Sequence, residues 1–384
     1  MLSRTLRAEL TRLLPDRNTP YALAYSGGGD SLSVLQALAR DRALKGVLHV
    51  DHGLREGSAR DAVLATLQAE QLGRKVEVLR WEPGDITTGM QEKARRARYR
   101  LMGSWCRARG IDHLVVAHHA DDQAETVLMR VERGSGWRGA AGMSALSYGP
   151  VWPELAGITL VRPALELSRE ALRAELGALR AVQDPSNADP SFARVRARGR
   201  LGKQPELRDE MLALAGAMAR GRGEDRKALR DIVDACRVSH EGEVSVPDGL
   251  SPAHLAALLP AVGGHAGPAE PARAAAALPA LDDGPVALGC GVLAERRADR
   301  IQLMRDPVAM TGRRDGTLEP TAVPLDITAD PQLWDGRFMF SGRGGTVNPE
   351  RRGRHVGFRV LYGRDVVVRN LVAERLRALV RPQP

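Results

Sequence analysis

Three short polar clusters in the first third of the chain hold residue types able to act on a phosphate. The first is SGGGDS, Ser26 to Ser31. Gly27, Gly28 and Gly29 permit positive φ and close backbone approach, and a helix starting at the end of the loop offers free N–H groups and its positive dipole end. Such a turn favours an anion, above all phosphate. Three adjacent glycines flanked by two serines and an aspartate exceed what a turn that binds nothing requires. The second cluster is Asp51 and His52 with Arg55, and the third is His118, His119, Asp121 and Asp122. Each has a dull explanation alone, as a helix cap or a satisfied, partly buried histidine. Carboxylates beside phosphates suit a Mg²⁺ carried in with nucleotide, and a histidine near neutral pKa can move protons. Zinc fits poorly, because no thiol accompanies His118, His119, Asp122 and Glu125 and their spacing is loose.

Two common nucleotide chemistries are excluded by pattern. The fingerprint GxxxxGK[ST] is absent, and GxGxxG does not occur at the first strand-to-helix turn. No lysine is therefore placed for γ-phosphoryl transfer.

The elements that must position these clusters follow from periodicity. Tyr21 to Tyr25 reads as a buried strand, and Leu32, Leu35, Leu38 and Ala39 recur at helical spacing behind it. Further strands are expected at Gly46 to His52, Lys75 to Trp81, His113 to His119 and Ile158 to Arg162. Helices are expected at Ser58 to Gly73, with Val63, Leu64 and Leu67 on the inner face, in QEKARRARYRLMGSWCRAR, from Asp121 to Arg133 and from Ser168 to Arg180. Strands alternating with helices predict an α/β fold, a parallel twisted sheet covered by helices on both faces. All three polar clusters then fall at carboxyl ends of strands, where such sheets bind ligands beside a topological switch point.

Composition bounds the rest. At 384 residues, two or three domains are expected at about 150 residues each. Aromatic residues make up 4% against a hydrophobic fraction of 43%, which predicts a mainly aliphatic core. A net charge of +9, carried mostly by arginine, points to a polyanionic partner. Cys106, Cys236 and Cys290 are scattered and odd in number, so neither a disulfide framework nor a CxxC site is expected and a reduced compartment fits. The amphipathic start, with Leu2, Leu6, Leu10 and Leu13 between arginines, lacks the apolar stretch of a secretory signal and reads as the first helix of a cytoplasmic protein without membrane contact.

RGSGWRGAAGM, carrying Arg133 and Arg138, reads as a mobile glycine-rich loop near the same sheet edge. DPSN at 184–187 is a turn, and Arg194, Arg196, Arg198 and Arg200 follow on a helix, spread over more than one face as a footprint for phosphates. Glu206 to Cys236 is helix-forming and amphipathic. Gly263 to Ala280 reads as a linker with a short helix, Val286 to Met304 as a hairpin, and WDGRFMFSGRGG and FRVLYGRDVVV as two more hairpin-like pieces before a last helix. No catalytic constellation is visible in this half.

SGGGDS matches the SGGxDS loop of the N-type ATP pyrophosphatases, which cut ATP between its α and β phosphates. VDHGLR, ARRARYR, AHHADDQAETVLMR, RGSGWRGAAGM and DPSN followed by FARVRAR, in that order over the first 200 or so residues, resemble the tRNA(Ile)-lysidine synthase family. The resemblance implies an adenine nucleotide alpha-hydrolase-like catalytic domain over residues 1–204, a mostly helical tRNA-binding domain over 205–308 and a small mixed α+β tRNA-recognition domain over 309–384. It implies ligation of free L-lysine to C2 of the wobble cytidine in the CAU anticodon of tRNA(Ile), with ATP and Mg²⁺, and a homodimer. By the same resemblance Ser26, Gly27, Gly28, Gly29, Asp30 and Ser31 hold ATP, with Asp30 toward Mg²⁺, and Arg98, His118 and Asp122 act with Asp30 around the reacting phosphate and cytidine, Asp122 orienting His118 or binding metal. Asp51, His52, Arg133, Arg138, Arg194, Arg196 and Arg198 face nucleotide or tRNA. Two rivals are a related enzyme that thiolates a tRNA base, which needs paired cysteines, and a basic RNA-binding protein without catalysis, which leaves the ATP loop unexplained.

Overall fold

The computed structural model describes residues 1–54, 57–82, 89–177, 179, 181–182, 189–265, 269–312, 320, 322–352, 355–361 and 363–381. Arg55, the DPSN turn and the Arg138 side chain lie outside the described residues. Two compact units form, residues 1–147 with 158–224 and residues 148–157 with 225–382. Among the described residues no helix is long and apolar enough to cross a membrane.

In the first unit, α1 (Leu2–Leu13) precedes β1 (Tyr21–Ala24), α2 (Gly29–Leu38), β2 (Leu44–Asp51), α3 (Ser58–Gln71), β3 (Val76–Arg80) and α4 (Met90–Ala108). Then come β4 (His113–Val115), α5 (Ala120–Glu132), α6 (Gly136–Ala140), β5 (Leu146–Tyr148), β6 (Thr159–Val161), α7 (Arg169–Arg173), α8 (Ala193–Lys203) and the start of α9 (Pro205–Ala235). The sheet runs β3-β2-β1-β4-β6-β5, and β3 to β2, β2 to β1, β1 to β4 and β4 to β6 are all parallel. Strand order reverses between β1 and β4, which puts the crevice of a doubly wound sheet at their carboxyl ends. The four α1 leucines are buried as their spacing requires, and α2 is buried nearly all round, so it reads as apolar rather than two-faced.

Three expectations fail for identifiable reasons. Helix α3 turns Ala62, Ala65, Gln68 and Ala69 inward and leaves Val63, Leu64 and Leu67 exposed at 60%, 39% and 52%. A Cβ built on Gly27 would lie 3.0 Å from the Ala65 Cβ, so the glycine loop approaches too closely for a branched residue at 65. The Tyr25 hydroxyl then donates to Gln68 Oε1 at 2.8 Å, which satisfies a buried polar pair on the same face. Strand β4 stops at Val115, leaving His118 and His119 in the turn, and RGSGWRGAAGM contains helix α6. That segment is pinned rather than loose, because Arg130 Nη1 donates to the Gly139 and Gly142 carbonyls and Gln123 exchanges two bonds with Met143.

In the second unit, β7 (Arg237–Val238), β8 (Val244–Pro247), α10 (Pro252–Gly263), α11 (Pro271–Ala277), β9 (Val286–Gly289), β10 (Val292–Arg297) and β11 (Arg300–Arg305) give an antiparallel sheet ordered β7-β8-β11-β10-β9. Only its β10–β11 hairpin is legible in the pattern. After α12 (Pro307–Thr311) follow β12 (Leu325–Asp326), β13 (Gln332–Trp334), β14 (Phe338–Arg343), β15 (Thr346–Arg352), β16 (His355–Leu361), β17 (Arg364–Asn370) and α13 (Leu371–Val380). WDGRFMFSGRGG does contribute to a hairpin, β13 with β14. FRVLYGRDVVV does not, since β16 pairs with β15 and β17 with β14. Glycines allow the divergence there: a Cβ on Gly345 would lie 2.6 Å from Gly363. The core of this region is aromatic, with Phe338, Phe340 and Phe358 packed edge to face or tilted around Trp334.

On the first unit's sheet, Gly46 in β2 faces the Trp105 ring of α4 with no room for a methyl group. Gly46→Ala is expected to lower stability by about 1–3 kcal/mol through overpacking, read as a shift of the urea midpoint; an unchanged midpoint would show that the ring moves aside freely.

Candidate functional site

The loop after β1 is held by its own serines. Ser26 N donates to Ser31 Oγ (3.2 Å), the two hydroxyls are 3.0 Å apart, and Ser31 Oγ donates to the Gly28 carbonyl at 3.0 Å. Gly27 sits at φ +79°, where a side chain would be strained. Gly28 is the N-cap of α2 and brings no side chain to the first N–H groups, which leaves them for a ligand.

A cleft of about 500 Å³ opens at this loop, and it gathers Ser26, Gly28, Asp30, Ser31, Asp51, His52, Arg98, His118 and Asp122 on its walls. All three strand-end clusters therefore meet. Gly27 and Gly29 shape the loop without lining the cleft. Asp51 Oδ1 accepts from Gly53 N at 3.1 Å, and the His52 ring packs edge-on to Trp81. Arg98 on α4 has a buried Nε with no hydrogen-bond acceptor among the described residues. Burial lowers its guanidinium pKa, and Arg95 and Arg194 add to that. An anion delivered to the cleft meets an orphan donor and a cation with little compensation, so the donor set fits a nucleotide phosphate.

Residues adjoining the cleft form a dense ionic network. His119 is fully buried, with Nε2 3.6 Å from Asp30 Oδ2 and 3.4 Å from Asp122 Oδ2, and Nδ1 3.4 Å from Asp121 Oδ2. These spacings make electrostatic contacts rather than well-formed hydrogen bonds. Asp122 Oδ2 instead accepts from the His119 backbone N at 3.2 Å, at the start of α5. Asp30 also receives Arg173 Nε at 2.7 Å. Burial pushes the Asp30 carboxyl up, but His119 and Arg173 outweigh it and hold the group well below the usual carboxylate range. Asp121 behaves alike: burial raises it, and the Arg169 backbone N and Arg208 pull it lower still.

Glu125, 1% exposed, accepts from Arg198 Nε at 2.7 Å and Arg194 Nε at 2.8 Å, and Arg194 Nη2 reaches Asp122 Oδ1 at 3.2 Å. Arg194 and Arg198 thus lie on the α8 face that packs on α5. Arg196 points elsewhere and donates to the Pro190 and Ser191 carbonyls, while Arg133 is exposed at the end of α5. His118 is held by Arg162, whose Nε donates to His118 Nδ1 at 3.2 Å; no hydrogen bond joins it to Asp122. Arg162, Arg173, Arg169 and Arg208 are contributors that sequence reasoning missed. Arg162 closes a buried apolar run, the same signal that marks Asp51, whereas nothing in the pattern sets Arg173 apart from other helical arginines.

A metal site is not prebuilt: among the described residues no group of three or more His, Cys, Asp or Glu is arranged to hold an ion. Asp30 alone at the phosphate loop does fit Mg²⁺, which commonly takes one or two carboxylates and completes its shell from phosphate and water.

The depressed carboxyls set a pH dependence. Their folded values lie below the unfolded ones of about 3.9 for Asp and 4.3 for Glu, so their stabilisation is complete above those values and is lost as pH falls through the folded ones. The contribution of these carboxyls is expected to be constant from about pH 7 to 5 and to be lost below about 4, whereas His118 and His49, held neutral by burial, make the stability of the chain decline already as pH falls below about 6.5. Glu125→Ala is expected to cost about 1–3 kcal/mol at neutral pH, since the half-exposed Arg198 loses its carboxylate to solvent while Arg194 keeps Asp122; a loss under about 0.5 kcal/mol in urea denaturation would contradict this network.

Comparison with known proteins agrees with this geometry. The PP-loop domain family model matches residues 2–205. The tRNA(Ile)-lysidine synthase of Ruegeria pomeroyi is 35% identical over 88% of this chain and 79% of its own length. That of a Bradyrhizobium species is 36% identical over 72% and 79%, and that of Hyphomonas neptunium is 43% identical over 48% and 52%. Among solved structures the chain is similar to the U34-tRNA thiolase NcsA from Methanococcus maripaludis, with 18% identity over 57% of this chain and 76% of that one, and a TM-score of 0.44, too loose a likeness to decide between chemistries. With a PP-loop at the switch point of its sheet and relatives matched over most of its length, the chain belongs to the tRNA(Ile)-lysidine synthase family.

Proposed function

We propose that this protein ligates L-lysine to C2 of the wobble cytidine, position 34, in the CAU anticodon of tRNA(Ile), consuming ATP and releasing pyrophosphate and AMP. The observation that carries the reading is the meeting of the SGGGDS loop, the orphan Nε of Arg98 and the His118 ring in one cleft. The names of the relatives supply the substrate.

In the first step the cytidine C2 carbonyl oxygen attacks the α-phosphate and pyrophosphate leaves. In the second the lysine amine adds at C2, AMP departs with the former carbonyl oxygen, and the amine proton passes to the medium. The loop N–H groups and the Ser26 and Ser31 hydroxyls bind phosphate oxygens, and Arg98 compensates charge where pyrophosphate separates. Mg²⁺, held by Asp30 and phosphate oxygens, would neutralise charge on the leaving group; Arg173 would then release Asp30. Asp51 and His52 face the nucleoside side of the cleft. Arg133, Arg138 and Arg196 meet the tRNA backbone, while the anticodon base is splayed out for reading. Thiolation is the weaker reading, because no two cysteines are near in sequence and burial pushes the Cys106 thiol up to about 12, far from a reactive thiolate.

With ATP, Mg²⁺, labelled lysine and tRNA(Ile) bearing CAU, the protein is expected to yield AMP and pyrophosphate and to transfer label to the tRNA. ADP as product, or label on tRNAs with other anticodons, would overturn the reading. Asp30→Ala is expected to abolish turnover with tRNA affinity retained, whereas Arg196→Ala weakens tRNA binding and lowers its salt slope by about one; equal loss of tRNA binding in both would contradict this division.

A further inference from the structure

Arg162 follows the last residue of β6 and is 6% exposed. Its backbone N donates to the Ala145 carbonyl at 2.9 Å, and Nη1 donates to the Ser144 carbonyl at 2.6 Å and to Ser147 Oγ at 2.9 Å. With main chain and one nitrogen anchored, the guanidinium has one direction left for Nε, and His118 Nδ1 stands there at 3.2 Å. Burial lowers the Arg162 pKa only to about 10, so it stays protonated at neutral pH. A guanidinium has five N–H donors and no acceptor.

The consequence for His118 follows from hydrogen-bond polarity. A nitrogen that receives an N–H bond carries a lone pair, so the ring proton of neutral His118 resides on Nε2. Adding a second proton would place it on Nδ1, facing the Arg162 donor. The leading influences on the ring oppose that: burial comes first, then Arg162 after β6, Arg194 of α8, and Arg95 and Arg98 of α4, in a cleft that Asp30, Asp51 and Asp122 also line. His118 nevertheless lines the cleft together with Ser26, Asp30 and Arg98.

We propose that Arg162 is a positioning residue that locks His118 in its Nε2–H tautomer, so that His118 gives a hydrogen bond to an oxygen of the bound nucleotides and does not accept a proton. This replaces the expectation that His118 shuttles protons. The identity of the oxygen, on the α-phosphate or at cytidine C2, rests on the ligation reading; the tautomer does not.

The test reads the ring directly. Long-range ¹H–¹⁵N correlation spectra of ¹⁵N-histidine-labelled full-length protein, with the His118 signals assigned by their loss in His118→Gln, are expected to show the Nε2–H pattern unchanged from about pH 5.5 to 8.5. In Arg162→Met the same ring is expected to show mixed Nδ1–H and Nε2–H tautomers, while burial, Arg194, Arg95 and Arg98 still oppose its protonation. Arg162→Gln, which keeps an N–H donor but loses the charge and the second anchor, is expected to lose about tenfold or more in kcat for AMP release, with KM for ATP changed less than about threefold. A wild-type ring that is protonated near neutral pH, or that carries its proton on Nδ1, overturns the proposal. Wild-type kcat in Arg162→Gln does so too. If an Arg162 variant fails to fold, the wild-type spectrum alone decides. Because that spectrum needs no substrate, its outcome is separate from whether lysine is ligated to tRNA.

Discussion

The site depends on one buried contact, the ring of His119 with Asp30 and Asp122 at its Nε2 edge and Asp121 at its Nδ1 edge, at 3.4 to 3.6 Å. Asp30 belongs to the loop after β1 and the other two to the start of α5 after β4, so the imidazole spans the two turns that flank the switch point. Three part-buried carboxylates around one ring repel one another. The molecule answers with cations from distant positions in the chain: Arg173 on Asp30, Arg194 on Asp122 and Arg208 on Asp121. These contacts tie the phosphate loop to the start of α5 and to α7.

This network also changes how the charge of the chain should be read. An excess of nine positive charges suggests arginines awaiting nucleic acid. Several of the best placed are already engaged. Arg194 and Arg198 hold Glu125, Arg200 pairs with Glu132, and Arg162 is buried under the catalytic face. Basic residues on α8 therefore do two jobs by helical face, one side fastening α8 to α5 and the other, with Arg196, turned away from that contact. Alternation in the sequence alone cannot separate these, since both faces read as basic.

What was legible in the sequence has a common cause. A parallel sheet buries its strands on both faces, so polar residues are driven to the strand ends, and the crossover helices give regular spacing between them. SGGGDS, Asp51 with His52, and His118 through Asp122 are such interruptions, and the cleft gathers them. Their partners were not legible. Arg173 meets Asp30 across 143 positions, and Arg162 meets His118 only because β6 lies beside β4, which no local pattern states. The face of α3 was misjudged because close approach to Gly27 selects alanine over larger apolar residues at 65. The two strands of FRVLYGRDVVV were misjudged because hairpin signals report a turn and not which partner each strand chooses.

The central claim is that the cleft activates a carbonyl oxygen of the tRNA base on the α-phosphate. Transcripts carrying ¹⁸O at C2 of cytidine 34 test it most directly, with the released AMP analysed by mass spectrometry after a single turnover with lysine. The account predicts that the heavy oxygen appears in the AMP phosphate in a one-to-one ratio with lysidine formed. AMP free of the label alongside lysidine, or retention of the label in the tRNA, would contradict it.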